Sequence, residues 1–539
     1  MRRDKTVVIA SESLKPAHSK RGRHLHLGDV LGILLIIVLC LSIGLPRYCS
    51  GIDLGDEGFL AHGADRVNAG QLPHRDFVSL QPPLSFYTAA AVFKLFGTSL
   101  TSLRILGLGI YLLVPLLIYG IARTAIKPPL ALVAAIPTIF VGIPFFNFVP
   151  FAAWQGIAAT LAAVLFFLWA IRGDRWRELL ALTSGIVTAA SLLLRHDQGL
   201  YLVISLSVYA LALHRARDRS SSDTTLKRVF AFWLVGVVVV LLPLGVYWQM
   251  QDALPQMFQQ LVVFPITTYT TTSSLPFPPF SAEILSLQNV LATFFYLPPL
   301  MVLITAAWLV RQIRRSQFHC REAFLVFLVV WTGLYYCQVL TRSDLNHLLI
   351  TLPPFLILAA CGWKVFLNQL DEWSLRWPHC QRRAFLAKVT ASILIGTLGI
   401  GFLCLTKPVF LPDPPKAEEM IQLGRAGVRS DIAQRLKNLV RNVQNHVPAD
   451  RAILCLPYQP MFYFLCERRN PTRWNYLWPG DQMPEDHEAL IQQAKADPPA
   501  IVLIMKEDVM RRYAPALLDY VHVGYRAVGT NGELVIYAP

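Results

Sequence analysis

Residues 54–87, "LGDEGFLAHGADRVNAGQLPHRDFVSLQPPLSFY", gather ionisable groups into an otherwise greasy stretch of chain. Asp56 and Glu57 lead it, followed by His62, His74, Arg75 and Asp76. An ionised carboxylate can take the proton from a hydroxyl or amine as it attacks, which is general-base chemistry. Neighbouring residues on a helix point about 100° apart, so the two acids cannot close on one group as a symmetric clamp. One can address a substrate while the other orients it or binds a partner cation. An acid beside a membrane span is costly and usually has a task, which favours this reading over a merely solvated start to a helix.

Two later islands repeat one theme, a cation and an acid at a helix end: "LLLRHDQGLY" with Arg195, His196 and Asp197, and "LTRSDLNHLLITLPP" with Arg342, Asp344 and His347. A guanidinium suits phosphate because its fork of donors matches the oxygens. The competing reading is that these arginines snorkel, or pair with Asp197 and Asp344 to hold helices together. Arg75 is open in the same way, as a phosphate ligand or a partner for Asp76. His62 reads as a packing or surface histidine. The chain has no Walker loop, no dinucleotide-binding glycine pattern and no zinc-type His–Glu cluster, so nothing points to ATP or a nucleotide sugar.

These groups need a scaffold, and composition names its class. Of 539 residues, 54% are hydrophobic and only 15% charged, with a mean hydropathy of +0.45. A soluble chain would carry about a quarter charged residues. Apolar stretches at 28–47, 101–123, 128–147, 153–171, 178–194, 199–214, 228–250, 288–310, 322–340, 347–367 and 388–410 predict about eleven membrane-crossing helices. The net charge of +15 comes from short basic clusters between them, which topology explains better than nucleic-acid binding.

The segment 84–97 decides the orientation. Fourteen helical residues rise only about 21 Å, short of the roughly 30 Å hydrocarbon core. With that segment interfacial or re-entrant, the basic connectors share the side of the basic N-terminus, the cytoplasm by the positive-inside rule. The connectors 48–100, 147–153, 195–199, 251–287 and 342–347 then face the other compartment together, which predicts a shared aqueous cavity there.

Three parts are expected: a cytosolic basic tail 1–27, a transmembrane domain 28–410 whose first extracytoplasmic loop is 48–100, and an extracytoplasmic α/β domain 411–539. The first loop should contain a helix stopped at Gly70 and an extended run ordered by Pro73, Pro82 and Pro83, with Phe77 and Leu80 anchoring it to the bilayer interface. In the tail, "AILCLP", "AIVLIM", "RAVGT" and "LVIYAP" read as strands between helical stretches. Its Arg468, Arg469 and Arg473 with Tyr463, Trp474, Tyr476 and Trp478 read as a grip on a glycan or acceptor, and the Trp and Tyr residues equally as packing the domain onto the membrane. The nine cysteines are spread singly, most of them as buried small residues, and only Cys455 and Cys466 are candidates for a disulfide.

The first loop, "GDEGFLAHGADRVNAGQLPHRDFVSLQPPLSFY…KLFG", resembles that of the GT-C class of integral-membrane glycosyltransferases, nearest to bacterial enzymes similar to protein O-mannosyltransferases and to lipid A aminoarabinose transferases. The shared pattern is an acidic pair after the first helix, a "G-x-x-P-Y-x-D" segment and a "P-P-L"; His74 stands at the usual tyrosine. "RSDLNHLL…LPP" and "LPYQPMFYFLCERRNPTRW" are weaker likenesses. The resemblance implies a polytopic GT-C-like helical fold in the cell inner membrane. It implies transfer of a sugar, usually with inversion, from a polyprenyl-phosphate donor to a protein, lipid A or envelope-glycan acceptor at the outer face. It places the acceptor-deprotonating base on Asp56, with Glu57 assisting or contacting the acceptor. Arg195 and Arg342 would bind donor phosphate, with Arg75 and His347 beside them, and His74, Asp76, Gln81, Asp197 and Asp344 would contact sugar or acceptor. No obligatory metal or other cofactor is implied. The rival class is a transporter or flippase for a lipid-linked anion; a lipid-glycan polymerase or ligase is more distant.

Overall fold

The computed structural model describes residues 26–173, 175–216, 222–282, 286–376, 386, 419–420, 425–430, 432–477 and 484–539. The first spanning helix, α1 (Leu27–Arg47), leads into the loop helices α2 (Asp56–Asn68) and α3 (Leu84–Phe96) and then α4 (Leu100–Arg123). Next come α5 (Pro128–Ala135) and α6 (Pro137–Phe140), which with a 3-10 turn form one apolar stretch to Phe146. Helices α7 (Ala152–Arg172), α8 (Arg177–Leu194), α9 (His196–Ala216) and α10 (Ser222–Met250) follow. The short α11 (Leu254–Phe258) and α12 (Thr270–Thr272) lie in the long connector, before α13 (Leu287–Arg314), α14 (Cys320–Thr341) and α15 (Leu345–Arg376). Among the described residues ten segments are long and apolar enough to cross a membrane. The expected eleventh, 388–410, lies outside the described residues, as do the basic tail up to residue 25 and the proline-rich linker up to 418.

Helix α3 is not among the ten spans. Its 13 residues rise about 20 Å, and its face has another use. Phe86, Ala89, Ala90 and Phe93 are buried, with Phe86 edge-on to Phe59 and Phe77 at 5.4 and 5.3 Å and Phe93 stacked on Phe464 at 5.5 Å. Phe77 therefore does not reach out to a bilayer as expected from the sequence. It is fully buried, and the guanidinium of Arg66 lies 4.9 Å over its ring. An aromatic in a closed core shields more apolar surface than one at the water–lipid boundary.

The tail carries a strand pair, β1 (Glu419–Met420) with β2 (Arg429–Ser430), and a four-stranded sheet. The sheet strands β3 (Ile453–Leu456), β4 (Ile501–Met505), β5 (Arg526–Asn531) and β6 (Leu534–Ala538) run in the order β3-β4-β6-β5. They fall on the four runs expected from the sequence. β3 and β4 are parallel and the other pairs antiparallel. The β5–β6 hairpin turns at Gly532 and Glu533, the former at φ +66°, a backbone state that favours glycine.

One hydrophobic core joins the loop to the tail. Phe59, Leu60, Phe77, Phe86 and Phe93 pack in the same cluster as Val440, Ile453, Met461 and Phe464. The helix Ala433–His446 contributes through Leu436, Leu439, Val440 and Val443. Main-chain bonds tie the seam: Val78 N–H to Arg473 O at 2.9 Å, Leu100 N–H to Arg425 O at 2.8 Å and Arg429 N–H to Cys49 O at 2.7 Å. A separate cluster around Tyr111, Trp154, Phe167, Trp331 and Tyr335 forms the heart of the helical bundle.

Candidate active site

The acidic pair sits where α2 begins. Asp53 Oδ1 accepts from Gly55 N–H at 2.8 Å and Asp56 N–H at 3.2 Å, satisfying donors that a helix start leaves open. Glycine is required one turn on. A Cβ at Gly58 would lie 2.3 Å from the main-chain nitrogen of Met461, and Met461 N–H itself donates to Leu54 O at 3.2 Å. The tail thus presses directly on the segment that carries the acids.

Asp56 and Glu57 part company there. Glu57 is completely buried. Both its oxygens accept from Arg104 of α4, Oε1 from Nε and Oε2 from Nη2 at 2.7 Å. The same guanidinium donates to the carbonyls of Tyr48, Ser50, Gly51 and Asn147. Glu57 is therefore taken up as a strut between loop and bundle, and the contact with acceptor expected from the sequence has no free oxygen to make it. Asp56 remains solvent-accessible, accepting a bond from the hydroxyl of Tyr458. Surrounding protein pushes its pKa up, opposed by the Tyr458 hydrogen bond and the charge of Arg342. Asp53 is pushed up to about 6 by burial and by Asp56 and Glu57, against the two main-chain donors.

Arg342, between α14 and α15, thus lies within electrostatic reach of Asp56, nearly three hundred positions away in the chain. Its Nε donates to Asp344 Oδ2 at 2.7 Å and its Nη1 to the hydroxyl of Tyr269 at 3.3 Å. Asp344 also accepts from the main-chain N–H of His347 at 2.9 Å and lies 2.7 Å from its Nδ1. Burial raises the Asp344 pKa, but His347 and Arg342 outweigh it and bring it down to about 2. Arg195, at the end of α8, donates through Nε to both oxygens of Asp197, at 2.9 and 3.2 Å, and Gln338 of α14 donates to Asp197 at 2.8 Å. Tyr269 is electrostatically coupled to Arg195 as well as to Arg342.

Both arginines therefore pair with the acids two residues on, yet each does so through Nε. Arg195 Nη1 and Nη2 and Arg342 Nη2 have no hydrogen-bond partner among the described residues. The acids fix the planes of the guanidinium groups and leave these outer donors unpaired among the described residues.

The remaining expected groups stand to one side. Arg75 is closed onto Asp76, at 2.8 and 2.9 Å, and reaches Gln251 at 3.0 Å. Asp76 also accepts from Leu72 N–H at 2.7 Å, and its pKa is lowered chiefly by the Arg75 hydrogen bond. Gln81 exchanges main-chain bonds with Ser79 Oγ, and its Oε1 is buried without a partner among the described residues. His74 is buried against Gln260. His62 stacks on Tyr463 at 4.7 Å.

In the tail, Arg468 donates to the carbonyls of Gln444, Val447, Cys466 and Glu467 and Arg469 pairs with Asp497, so both serve packing. Arg473 donates to His74 O at 3.1 Å, Tyr476 packs between Phe59 and Tyr458, and Trp478 lies outside the described residues. Cys455 and Cys466, the candidate disulfide, are free and buried. No group of three His, Cys, Asp or Glu side chains with metal-holding geometry occurs among the described residues.

Sequence reasoning missed Tyr458, Tyr269, Arg104 and Asp53. Tyr458 stands in the tail stretch "LPYQP", whose only signal was its likeness to a known family, and Tyr269 sits in a connector without a single Lys or Arg.

Residues 80–248 match the dolichyl-phosphate-mannose-protein mannosyltransferase family. No curated protein matches the sequence. The structure of ArnT from Cupriavidus metallidurans bound to undecaprenyl phosphate superposes with a TM-score of 0.55 at 13% identity, covering 94% of this chain and 97% of that one. The archaeal oligosaccharyltransferase AglB from Archaeoglobus fulgidus, in complex with an inhibitory peptide and a dolichol-phosphate, superposes at 0.56 and 12% identity, covering 94% and 74%. The chain is a polytopic membrane protein with the fold of GT-C-class glycosyltransferases, and within that class it resembles ArnT and the protein mannosyltransferases.

Proposed function

We propose that the protein transfers a sugar from a polyprenyl-phosphate donor to an acceptor at the non-cytoplasmic face of the inner membrane, with inversion. Asp56 takes the proton of the acceptor hydroxyl or amine as that atom attacks the anomeric carbon. The bond from that carbon to the phosphate oxygen breaks, and the carrier phosphate leaves with the extra negative charge. The observation that carries this reading is the set of guanidinium nitrogens on Arg195 and Arg342 left unpartnered among the described residues, with Arg342 in electrostatic reach of Asp56. Preorganised cations aimed at developing charge are worth several kcal/mol, about 2.7–4 for a single donor in well-studied cases. Glu57 acts through Arg104, positioning the helix start that bears the base. No metal takes part in the proposed step.

The membrane orientation follows from the basic clusters. We take the tail to lie on the side of the first loop, whose core it shares, opposite a cytoplasmic N-terminus; the span 388–410 expected from the sequence lies outside the described residues. The relatives' lipid phosphates and peptide ligand favour a lipid-linked donor and a separate acceptor here too.

The test is sugar transfer in nanodiscs by the purified protein, from radiolabelled undecaprenyl-phosphate sugars to an envelope extract. Asp56→Asn keeps shape and removes the base, and should lower the rate by about 10²–10⁴. A rate near wild type would remove Asp56 from the role. Carrier movement between leaflets without transfer would favour a flippase.

A further inference from the structure

His74 holds a buried acceptor with no partner among the described residues. The residue sits at φ 72°, a left-handed conformation uncommon outside glycine, and is 1% exposed. Its surroundings fix which ring nitrogen carries the proton. Gln260 Nε2 donates to His74 O at 3.1 Å, and Gln260 Oε1 accepts from Ser79 N–H at 3.0 Å. The Gln260 amide is thereby oriented, and the atom 2.9 Å from His74 Nδ1 is its oxygen. Nδ1 must donate. Burial also holds the ring neutral, with its pKa brought down to about 4 despite the Gln260 bond, so Nε2 is a bare lone pair. It has no hydrogen-bond partner among the described residues.

An unpaired buried acceptor costs roughly 1–3 kcal/mol, and native proteins seldom leave one without a use. The location supplies one. Leu72 packs with Leu193 and Trp248, which sets this stretch against the ends of α8 and α10. His196, next to Arg195, lies within electrostatic reach of the His74 ring, and its own Nδ1 is buried and unpartnered among the described residues.

We propose that His74 Nε2 and His196 Nδ1 form a subsite for a hydroxyl-bearing sugar, held beside Arg195 while its phosphate is bound there. The inference rests on the donor reading above. A His74 Nε2 that can only accept rejects a group that cannot donate, so it selects a ring hydroxyl or amine over a deoxy position. The donor sugar, not the acceptor, is the occupant because His196 adjoins Arg195, whereas the hydroxyl bonded to Asp56 belongs to Tyr458.

The experiment compares binding of undecaprenyl phosphate with binding of undecaprenyl-phosphate mannose, glucose and 4-amino-4-deoxyarabinose to the full chain in nanodiscs. His74→Asn tolerates the left-handed backbone and can still donate to Gln260, but it carries nothing at the Nε2 position. His74→Gln reaches further and restores an acceptor. Wild type should bind at least one sugar-bearing carrier more tightly than the bare one. His74→Asn should cost that carrier about five- to tenfold in affinity and leave the bare carrier unchanged, and His74→Gln should recover part of the loss. Equal weakening of both carriers, no weakening, or a change confined to acceptor KM overturns the subsite. So does a wild type for which the sugar adds nothing. A wild type that binds no polyprenyl phosphate at all refutes the donor reading beneath it, a separable result.

Discussion

Tyr458→Phe removes one hydroxyl from the tail and asks whether the tail tunes Asp56, the proposed base. The Tyr458 O–H donates to Asp56 Oδ1 and favours the ionised carboxylate, since the protonated acid needs that bond less. A hydrogen bond to a charged group contributes about 1.5–3 kcal/mol. Asp56 is open to solvent, so water replaces part of the bond and screening removes about half of it. About 0.7–1.5 kcal/mol remains, which at 1.36 kcal/mol per unit is a rise of about 0.5–1 pKa unit. A base with a raised pKa stays protonated to higher pH, so the acidic limb of kcat/KM should move up by that amount.

The assay is initial-rate transfer across pH 4.5–8, a range set by the ordinary carboxylate and histidine pKa values, with Asp53→Asn as control. Asp53 titrates near 6, and an acidic limb that vanished in the control would belong to Asp53 instead. A uniform loss of rate with the limb unmoved, or a limb displaced to lower pH, would refute the reasoning.

Other outcomes follow from the same geometry. Glu57→Ala strands the buried Arg104 charge and should cost about 3–5 kcal/mol, read as a lowered midpoint in detergent unfolding. The double change Glu57→Leu with Arg104→Met should recover much of it. Arg342→Gln should weaken binding of the bare carrier, and adding Arg195→Gln should weaken it further, by about tenfold or more at each step if each guanidinium makes a charged hydrogen bond; titration with undecaprenyl phosphate checks this. Asp344 has a folded pKa near 2, so the stability it contributes is fully present above the unfolded value of about 3.9 and is lost as pH falls toward 2. Asp344→Asn should flatten acid unfolding in that window. Gly58→Ala drives a methyl into the main chain of Met461 and should open the loop–tail seam, read as faster proteolysis of the tail.

Ten of the candidate helical spans, the shortness of α3, the helix ending near Gly70 and all four sheet strands were legible in the sequence. Each is written in local terms: a run of apolar residues, a period of two, a breaker. The acids and arginines of the site were legible by type, since an ionisable group beside a span is conspicuous. What each one does was not. Asp56 and Glu57 are adjacent and chemically alike, yet one is open to solvent and bonded to Tyr458 while the other is locked onto Arg104.

That division of labour depends on partners 402 and 47 positions away, and no local pattern encodes such distances. Phe77 shows the same limit: its apolarity announced burial, but only the docking of α3 and the tail decided that the burial was in protein and not in lipid. Chain composition determined where the molecule lives and which residue types its site would use. Tertiary packing decided which carboxylate stays free, which guanidinium nitrogens stay unpaired and which histidine nitrogen stays bare, because burial and hydrogen-bond partners are properties of the folded neighbourhood alone.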